Sequence, residues 1–419
     1  MRLLFWRRLN SKIKTFLIAG FVLRMLVMFL FINLNNDYYW EYGDIAKYIL
    51  DGKGYSFVFF ENHKYCHGYQ TELPVYISAH MPPGYVIFLL PFLLIKNIIL
   101  RNILILTIQN ILSLFVIYYL FKFTKKYFSK PAAILAALFY ALIPEFIYVS
   151  NLYGVTIIYH LAIIALLYML YDNNKRYEWK NVIALSLILG ILINFRSEVA
   201  LFALMIAGFY LLNKKFKQFI AISGIIFCLL LPWQIRNYVA FKSIVPMTTT
   251  NGWNFYLGHT NNEIYTIENL LTMNSDEFEG HFDAELRINN FLFNRAIHDI
   301  ESDPYGEIKR VVYKIGYLWF LYPYDKRAIS IFYIVPWFFI LTFSIYGLYK
   351  NFSIRRHIFS YLFLTFHTII SVLYFVLPRY QTMMKIALLP FAASGLSIIY
   401  FNIKNKKNTI QEQNLSETL

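Results

Sequence analysis

Apolar runs of about 17–25 residues, the length a bilayer core asks of a helix, recur along this chain with short polar segments between them. Ten read as spans, at about 15–34, 102–121, 131–149, 154–171, 181–195, 197–212, 218–235, 328–349, 358–377 and 382–402. Backbone groups in hydrocarbon need partners within the segment, so the spans are helices. The alternating short strands of a membrane barrel do not occur. Lysines and arginines collect between the runs. Arg2, Arg7, Arg8, Lys12 and Lys14 precede the first, and Lys122, Lys125, Lys126 and Lys130 form a second cluster. Lys175, Arg176 and Lys180 follow, then Lys214, Lys215 and Lys217, then Lys350, Arg355 and Arg356, then Lys404, Lys406 and Lys407. The positive-inside rule puts all six clusters, and both termini, in the cytoplasm.

One further apolar stretch, 82–100, does not fit that alternation. If it crossed alone, the lysines at 122–130 would lie outside. It is therefore expected to be a re-entrant or interface-lying helix in the first outer loop, interrupted at Pro91. The first run lacks a small-residue cleavage site after it and reads as an uncleaved helix. The expected architecture is all-α and polytopic. Residues 1–403 form one membrane-embedded domain with outer loops at about 35–100 and 236–327. Residues 404–419 form a polar cytoplasmic tail, expected to be disordered.

Composition agrees. The 419 residues are 58% hydrophobic and only 15% charged, against about 25% charged in soluble domains. The net charge of +15 is explained by the cytoplasmic clusters. A nucleic-acid footprint would instead be one basic face on a folded domain, so nucleic acid is not an expected partner. Cys66 falls in an outer loop and Cys228 in a span, so no disulfide is expected, and no C-x-x-C metal spacing occurs.

The chemistry concentrates outside. After the first span, Asp37, Glu41 and Asp44 stand at i, i+4 and i+7, which on one helix stacks three carboxylates on a face. Tyr38, Tyr42, Ile45 and Ile49 form the neighbouring apolar face, and Gly52 and Gly54 end the helix. Three like charges repel, so the face is either solvated or bound to a function that needs a cation or a shifted pKa. The run from His80 to Tyr85 closes the first outer loop. Arg236-Asn237, Trp253 and Arg379-Tyr380 put cations and aromatics at the same membrane face. Arginine grips phosphate with a bidentate fork, though snorkelling at a helix end also places it there. Arg196 and Glu198, at the outer turn between the fifth and sixth spans, either pair or serve a function. Arg24 lies inside the first span and requires a partner. His160 reads as a hydrogen-bonded core residue.

Seven short runs carry a resemblance: Glu41 to Ala46, Gly52-Lys53-Gly54-Tyr55-Ser56, Met81-Pro82-Pro83-Gly84-Tyr85, Asn194 to Glu198, Pro232-Trp233 with Arg236-Asn237, Gly252-Trp253-Asn254 to Gly258, and Arg379-Tyr380. Their order over residues 1 to about 400 resembles the GT-C superfamily of lipid-sugar-dependent glycosyltransferases. It is most similar to the branch of the protein O-mannosyltransferases and the lipid A aminoarabinose transferase. The resemblance implies inverting transfer of a sugar from a polyprenyl-phosphate donor to a lipid, glycan or protein acceptor, outside the cytoplasmic (inner) membrane. It implies an essential acid in the first outer loop, for which Asp37 matches best and Glu41 second. Substrate binding then falls to Asp44, Tyr42, His80, Tyr85, Arg196, Glu198, Arg236, Asn237, Trp253, Arg379 and Tyr380. The family's second acid follows the third span, where Ser150 to Thr156 has no carboxylate. No metal ligands and no cofactor are assigned for that reason, and a divalent cation stays open. A polytopic lipid or polysaccharide transporter and a non-catalytic membrane assembly factor are the competing readings.

Overall fold

The computed structural model describes residues 11–173, 175–260 and 264–417, so Arg2, Arg7 and Arg8 of the first basic cluster lie outside the described residues. Seventeen α-helices are formed among them. The apolar runs give α1 (Ser11–Phe31), α4 (Ile98–Tyr127), α5 (Lys130–Leu142) with the short α6 (Pro144–Val149), α7 (Thr156–Leu170), α8 (Trp179–Phe195), α9 (Val199–Leu212), α10 (Phe216–Phe241), α15 (Ile331–Lys350), α16 (Ile354–Leu373) and α17 (Pro378–Glu417). Each of the ten expected spans coincides with one of these helices or, for 131–149, with a pair. Six are long and apolar enough to cross a membrane unaided: α1, α4, α10, α15, α16 and α17. The other four are shorter apolar helices. The protein is an all-α polytopic membrane protein.

The basic clusters meet at one end of the bundle. Lys126 pairs with Asp172 at 2.6 Å, and the Arg356 guanidinium donates to the Tyr127 carbonyl. Tyr210 donates to the Arg176 carbonyl, and Lys215 sits over the Tyr177 ring. The loops carrying the candidate chemistry lie at the other end.

Polar side chains inside the bundle serve broken backbone. The helix of the third span stops at Leu142, where Ile143 is extended ahead of Pro144. That break strands carbonyls in the bundle, and Arg24 supplies the donors, to Tyr140 at 3.0 Å and Ala141 at 3.1 Å. Elsewhere glycines permit close contact. A Cβ at Gly347 or Gly395 would collide with the backbone of the facing helix, so α15 and α17 approach directly.

Two expectations need correction here. The stretch 82–100 forms α3 (Pro83–Leu93), whose 11 residues reach about 16 Å, short of a hydrocarbon core of roughly 30 Å. Its interruption, however, falls after Leu93 and not at Pro91, which is the third-last residue of α3. Asn97 then caps α4 by accepting from the Leu100 amide. The tail is not disordered as expected, because α17 continues without a break to Glu417.

The outer layer has two parts. The first loop holds α2 (Trp40–Leu50) and a hairpin of β1 (Val58–Glu61) and β2 (Lys64–His67). Asn62 and His63 turn it with positive φ of 51° and 61°, the geometry of a two-residue primed turn. The second loop holds α11 (Asn251–His259), α12 (Ile264–Met273), α13 (Ala284–Ser302) and α14 (Pro304–Trp319). Buried Glu285 of α13 fastens the loops together. It accepts from the Ala79 amide at 3.0 Å, the Ser78 hydroxyl at 3.2 Å and the Thr249 hydroxyl at 2.6 Å.

Candidate active site

A cavity of about 1970 Å³ opens between the outer layer and the ends of the spans. Small-ligand pockets run to about 300–1,000 Å³, so there is room for two substrates. Its wall is assembled from α2, the turn after α8, α6, α11, α14 and the start of α17.

The acidic face after the first span is split by the backbone. The helix starts at Trp40, which takes a left-handed φ of 57°. Asp37 therefore precedes α2 and does not stack with Glu41 and Asp44, which corrects the expected three-carboxylate face. The three then take different surroundings. Asp37 lies off the cavity wall and is held by Arg101 at 2.6 Å and Lys47 at 3.0 Å. Asp44 is buried behind α2, and burial lifts its carboxyl to about 6, with Lys47 pulling the other way. Glu41 lines the cavity and makes no hydrogen bond or ion pair among the described residues.

The arginines divide in the same way. Arg236 does not reach the cavity. It donates to the carbonyls of Ser78 at 2.6 Å and Tyr55 at 3.0 Å, and its neighbour Asn237 is buried, donating to Val245. Arg236 binds the first loop to α10, and Asn237 ties the segment just after α10 back to that helix. Arg379 is exposed on the cavity wall, at the first turn of α17, with no carboxylate in ion-pair range among the described residues. Arg196, also on the wall, is paired with Glu198 and lies 5.6 Å from the Tyr380 ring centroid.

Tyr42, His80, Trp253 and Tyr380 line the cavity as well. Burial pushes the Tyr42 phenol up to about 12, which keeps it a neutral donor. Tyr85 is fully buried behind Tyr42, edge-on at 5.2 Å, and donates to Gln109 at 2.8 Å. It supports the wall without facing the cavity.

Glu145 was not legible as a site residue. It lies within the expected third span, ahead of the Ser150 to Thr156 segment where the resemblance puts a second acid. The break at Ile143–Pro144 ends α5 early and turns Glu145 to the cavity. Its carboxylate is paired with buried Lys385 at 2.5 Å and accepts from the Thr382 hydroxyl. The basic and aromatic wall from α14 was also missed: Lys309, Arg310, Lys314, Tyr313 and Tyr317. Their helical spacing was readable in the sequence. Lys314 is buried and donates to the carbonyls of Gly258 and Val372, and burial lowers its ammonium to about 8 against the pull of Glu307. Among the described residues no cluster of three or more His, Cys, Asp or Glu side chains is placed to hold a metal ion.

Comparison with known proteins places this geometry. Residues 81–234 match the family model of dolichyl-phosphate-mannose-protein mannosyltransferases. The fold is similar to archaeal oligosaccharyltransferase AglB from Archaeoglobus fulgidus, solved in complex with an inhibitory peptide and a dolichol-phosphate, at 12% identity and a TM-score of 0.54 over 96% of this chain and 52% of that one. The apo form of the Archaeoglobus fulgidus oligosaccharyltransferase gives 13% and 0.53, covering 97% of this chain and 52% of that one. ArnT from Cupriavidus metallidurans, bound to undecaprenyl phosphate, gives 11% and 0.41, covering 92% and 77%. The chain spans about half the length of the oligosaccharyltransferase structures it matches. No curated protein matches it in sequence. The fold is thus similar to that of the oligosaccharyltransferases, in keeping with the resemblance carried by the seven runs.

Proposed function

We propose that this protein is a membrane glycosyltransferase that moves a sugar from a polyprenyl-phosphate donor to an acceptor hydroxyl on the outer side of the cytoplasmic membrane. The observation that carries the reading is the content of the cavity. A carboxylate without a protein partner, Glu41, and a guanidinium without a carboxylate, Arg379, share one large cleft at the membrane edge of a GT-C fold. The dolichol-phosphate in the matched oligosaccharyltransferase structure supports a lipid phosphate as the donor's carrier.

Glu41 takes the catalytic role in preference to Asp37, because Asp37 is already neutralised by two cations. Glu41 accepts the proton of the acceptor hydroxyl as that oxygen forms its bond to the anomeric carbon. The bond from that carbon to the phosphate oxygen breaks, and its electron pair leaves on the phosphate. Attack from the side opposite the leaving group inverts the anomeric centre. Arg379 donates to the departing phosphate, while Arg196, paired with Glu198, shapes the same wall. Tyr42 and Trp253 offer ring faces and polar edges to the sugar.

The test is incubation of the purified chain with radiolabelled polyprenyl-phosphate sugars and bacterial membrane acceptors. Label passing to an acceptor supports the reading. Movement of labelled lipid across proteoliposomes without transfer favours a transporter, and neither activity favours an assembly factor.

A further inference from the structure

The wall that α14 contributes has a character that sugar transfer at the anomeric centre does not require. On α14, Gly306, Lys309, Arg310, Tyr313, Lys314 and Tyr317 line the cavity, a face at helical spacing, while Ile308 and Val312 point away and are exposed. Tyr322 and Tyr324, from the loop after α14, complete that wall. The rings of Tyr317, Tyr322 and Tyr324 stand 5.3–5.9 Å apart in edge-on contact, and Tyr313 stacks on Tyr317 at 6.1 Å.

This platform is built and held. Asp325 and Arg327 clasp each other at 2.8 Å just after Tyr324. Buried Gln381 donates to the carbonyls of Leu318 and Phe320, and Trp337 donates to Phe320 at 2.6 Å, which pins the end of α14 to α15 and α17. The hydroxyls of Tyr313 and Tyr322 have no partner among the described residues. A channel for an isoprenoid tail would be lined by aliphatic side chains. Four tyrosines offer flat apolar faces rimmed by hydroxyls, the complement of a pyranose ring, which has an apolar C–H face and a hydroxyl edge.

We infer that the acceptor is a carbohydrate, and that Tyr313, Tyr317, Tyr322 and Tyr324 form a stacking subsite for the sugar residues next to the one that receives the transfer. This rests on the glycosyltransferase reading and narrows its acceptor to glycans over proteins and simple lipids.

The test uses the full chain in detergent on an array of bacterial envelope oligosaccharides, with undecaprenyl phosphate binding measured in parallel. Tyr322→Leu/Tyr324→Leu alters two loop residues without touching the spans, and Tyr322→Phe/Tyr324→Phe keeps the rings. The wild type is expected to bind a subset of the glycans. The Leu pair is expected to weaken that binding about tenfold, which corresponds to about 1.4 kcal/mol, while the Phe pair keeps most of it and both keep the lipid. Loss of undecaprenyl phosphate binding in the Leu pair, with glycans unaffected, would overturn the inference and assign the wall to the donor tail. Absence of glycan binding by the wild type while it still binds undecaprenyl phosphate would also overturn it. Glycan binding does not depend on Glu41, so Glu41→Gln should retain it. Binding without any transfer activity would therefore sink the enzyme reading and leave the subsite standing.

Discussion

Two regions of the outer layer carry similar residue types and use them in opposite ways. Behind the cavity, charges are spent within the protein: Asp37 on Arg101 and Lys47, Arg236 on two loop carbonyls. On the cavity wall, Glu41 and Arg379 have no ion-pair partner among the described residues. A saturated charge fastens backbone, because removing one side strands the other away from water. An unsaturated charge at a cleft keeps its hydrogen-bonding capacity for a ligand. The difference separates fasteners from candidate chemistry more sharply than residue type or spacing does.

The largest expected effect sets Glu41 against Asp37. Glu41→Gln removes the proton acceptor and should lower turnover by about 100- to 10,000-fold, with donor binding intact. Asp37→Asn should instead lower the unfolding temperature in detergent, since Arg101 loses its partner, and should leave most of the turnover. The opposite pattern in the radiolabelled transfer assay would return the catalytic role to Asp37.

Next in size is the pair beneath the cavity. Lys385→Met leaves Glu145 without its cation and should destabilise the protein by about 3–5 kcal/mol. Adding Glu145→Gln should recover part of that loss. Denaturation curves for both variants check this, and equal destabilisation by single and double variants would mean the pair is not coupled.

The arginines come third. Arg379→Ala should weaken undecaprenyl phosphate binding by about 10- to 100-fold, the loss of a charge-assisted hydrogen bond. Arg236→Ala should leave that affinity unchanged and lower the unfolding temperature. Equal loss of affinity in both variants would erase the distinction between the two regions.

Asp44 should show no effect on turnover and a pH signature in stability. Its folded carboxyl titrates at about 6 against 3.8 for the free group, so the folded state binds the extra proton between those values. The resulting penalty is complete above about pH 6 and disappears as pH falls toward 3.8, so stability from this group rises on acidification. Asp44→Asn should stabilise the protein by up to about 3 kcal/mol at neutral pH, and by progressively less toward pH 4. A pH-independent difference would show that the burial of Asp44 is not the cause.

Most of the bundle could be read from the sequence because its signal is one-dimensional. Run length is set by the bilayer, so the positions of the apolar helices were legible. The site was legible as a neighbourhood only. Asp37, Glu41 and Asp44 looked equivalent because spacing does not show where a helix starts, and the left-handed Trp40 divides them. Arg236 and Arg379 looked equivalent because snorkelling, fastening and phosphate binding all place arginine at a helix end. Glu145 was hidden inside an apolar run whose break at Ile143–Pro144 matters more than its hydropathy. The tail misled for a different reason: its polar composition argued against a folded core, yet α17 extends through it as a single helix.

The central claim is that donor phosphate and catalytic carboxylate share the cavity between α2, α14 and α17. A structure of the full chain in detergent with undecaprenyl phosphate, by single-particle cryo-electron microscopy, tests it most directly. The phosphate should lie inside the cavity, in hydrogen-bonding range of Arg379 and facing Glu41 across room for a sugar. Phosphate density outside the cavity, against Arg236 or the rim of α10, would contradict the claim.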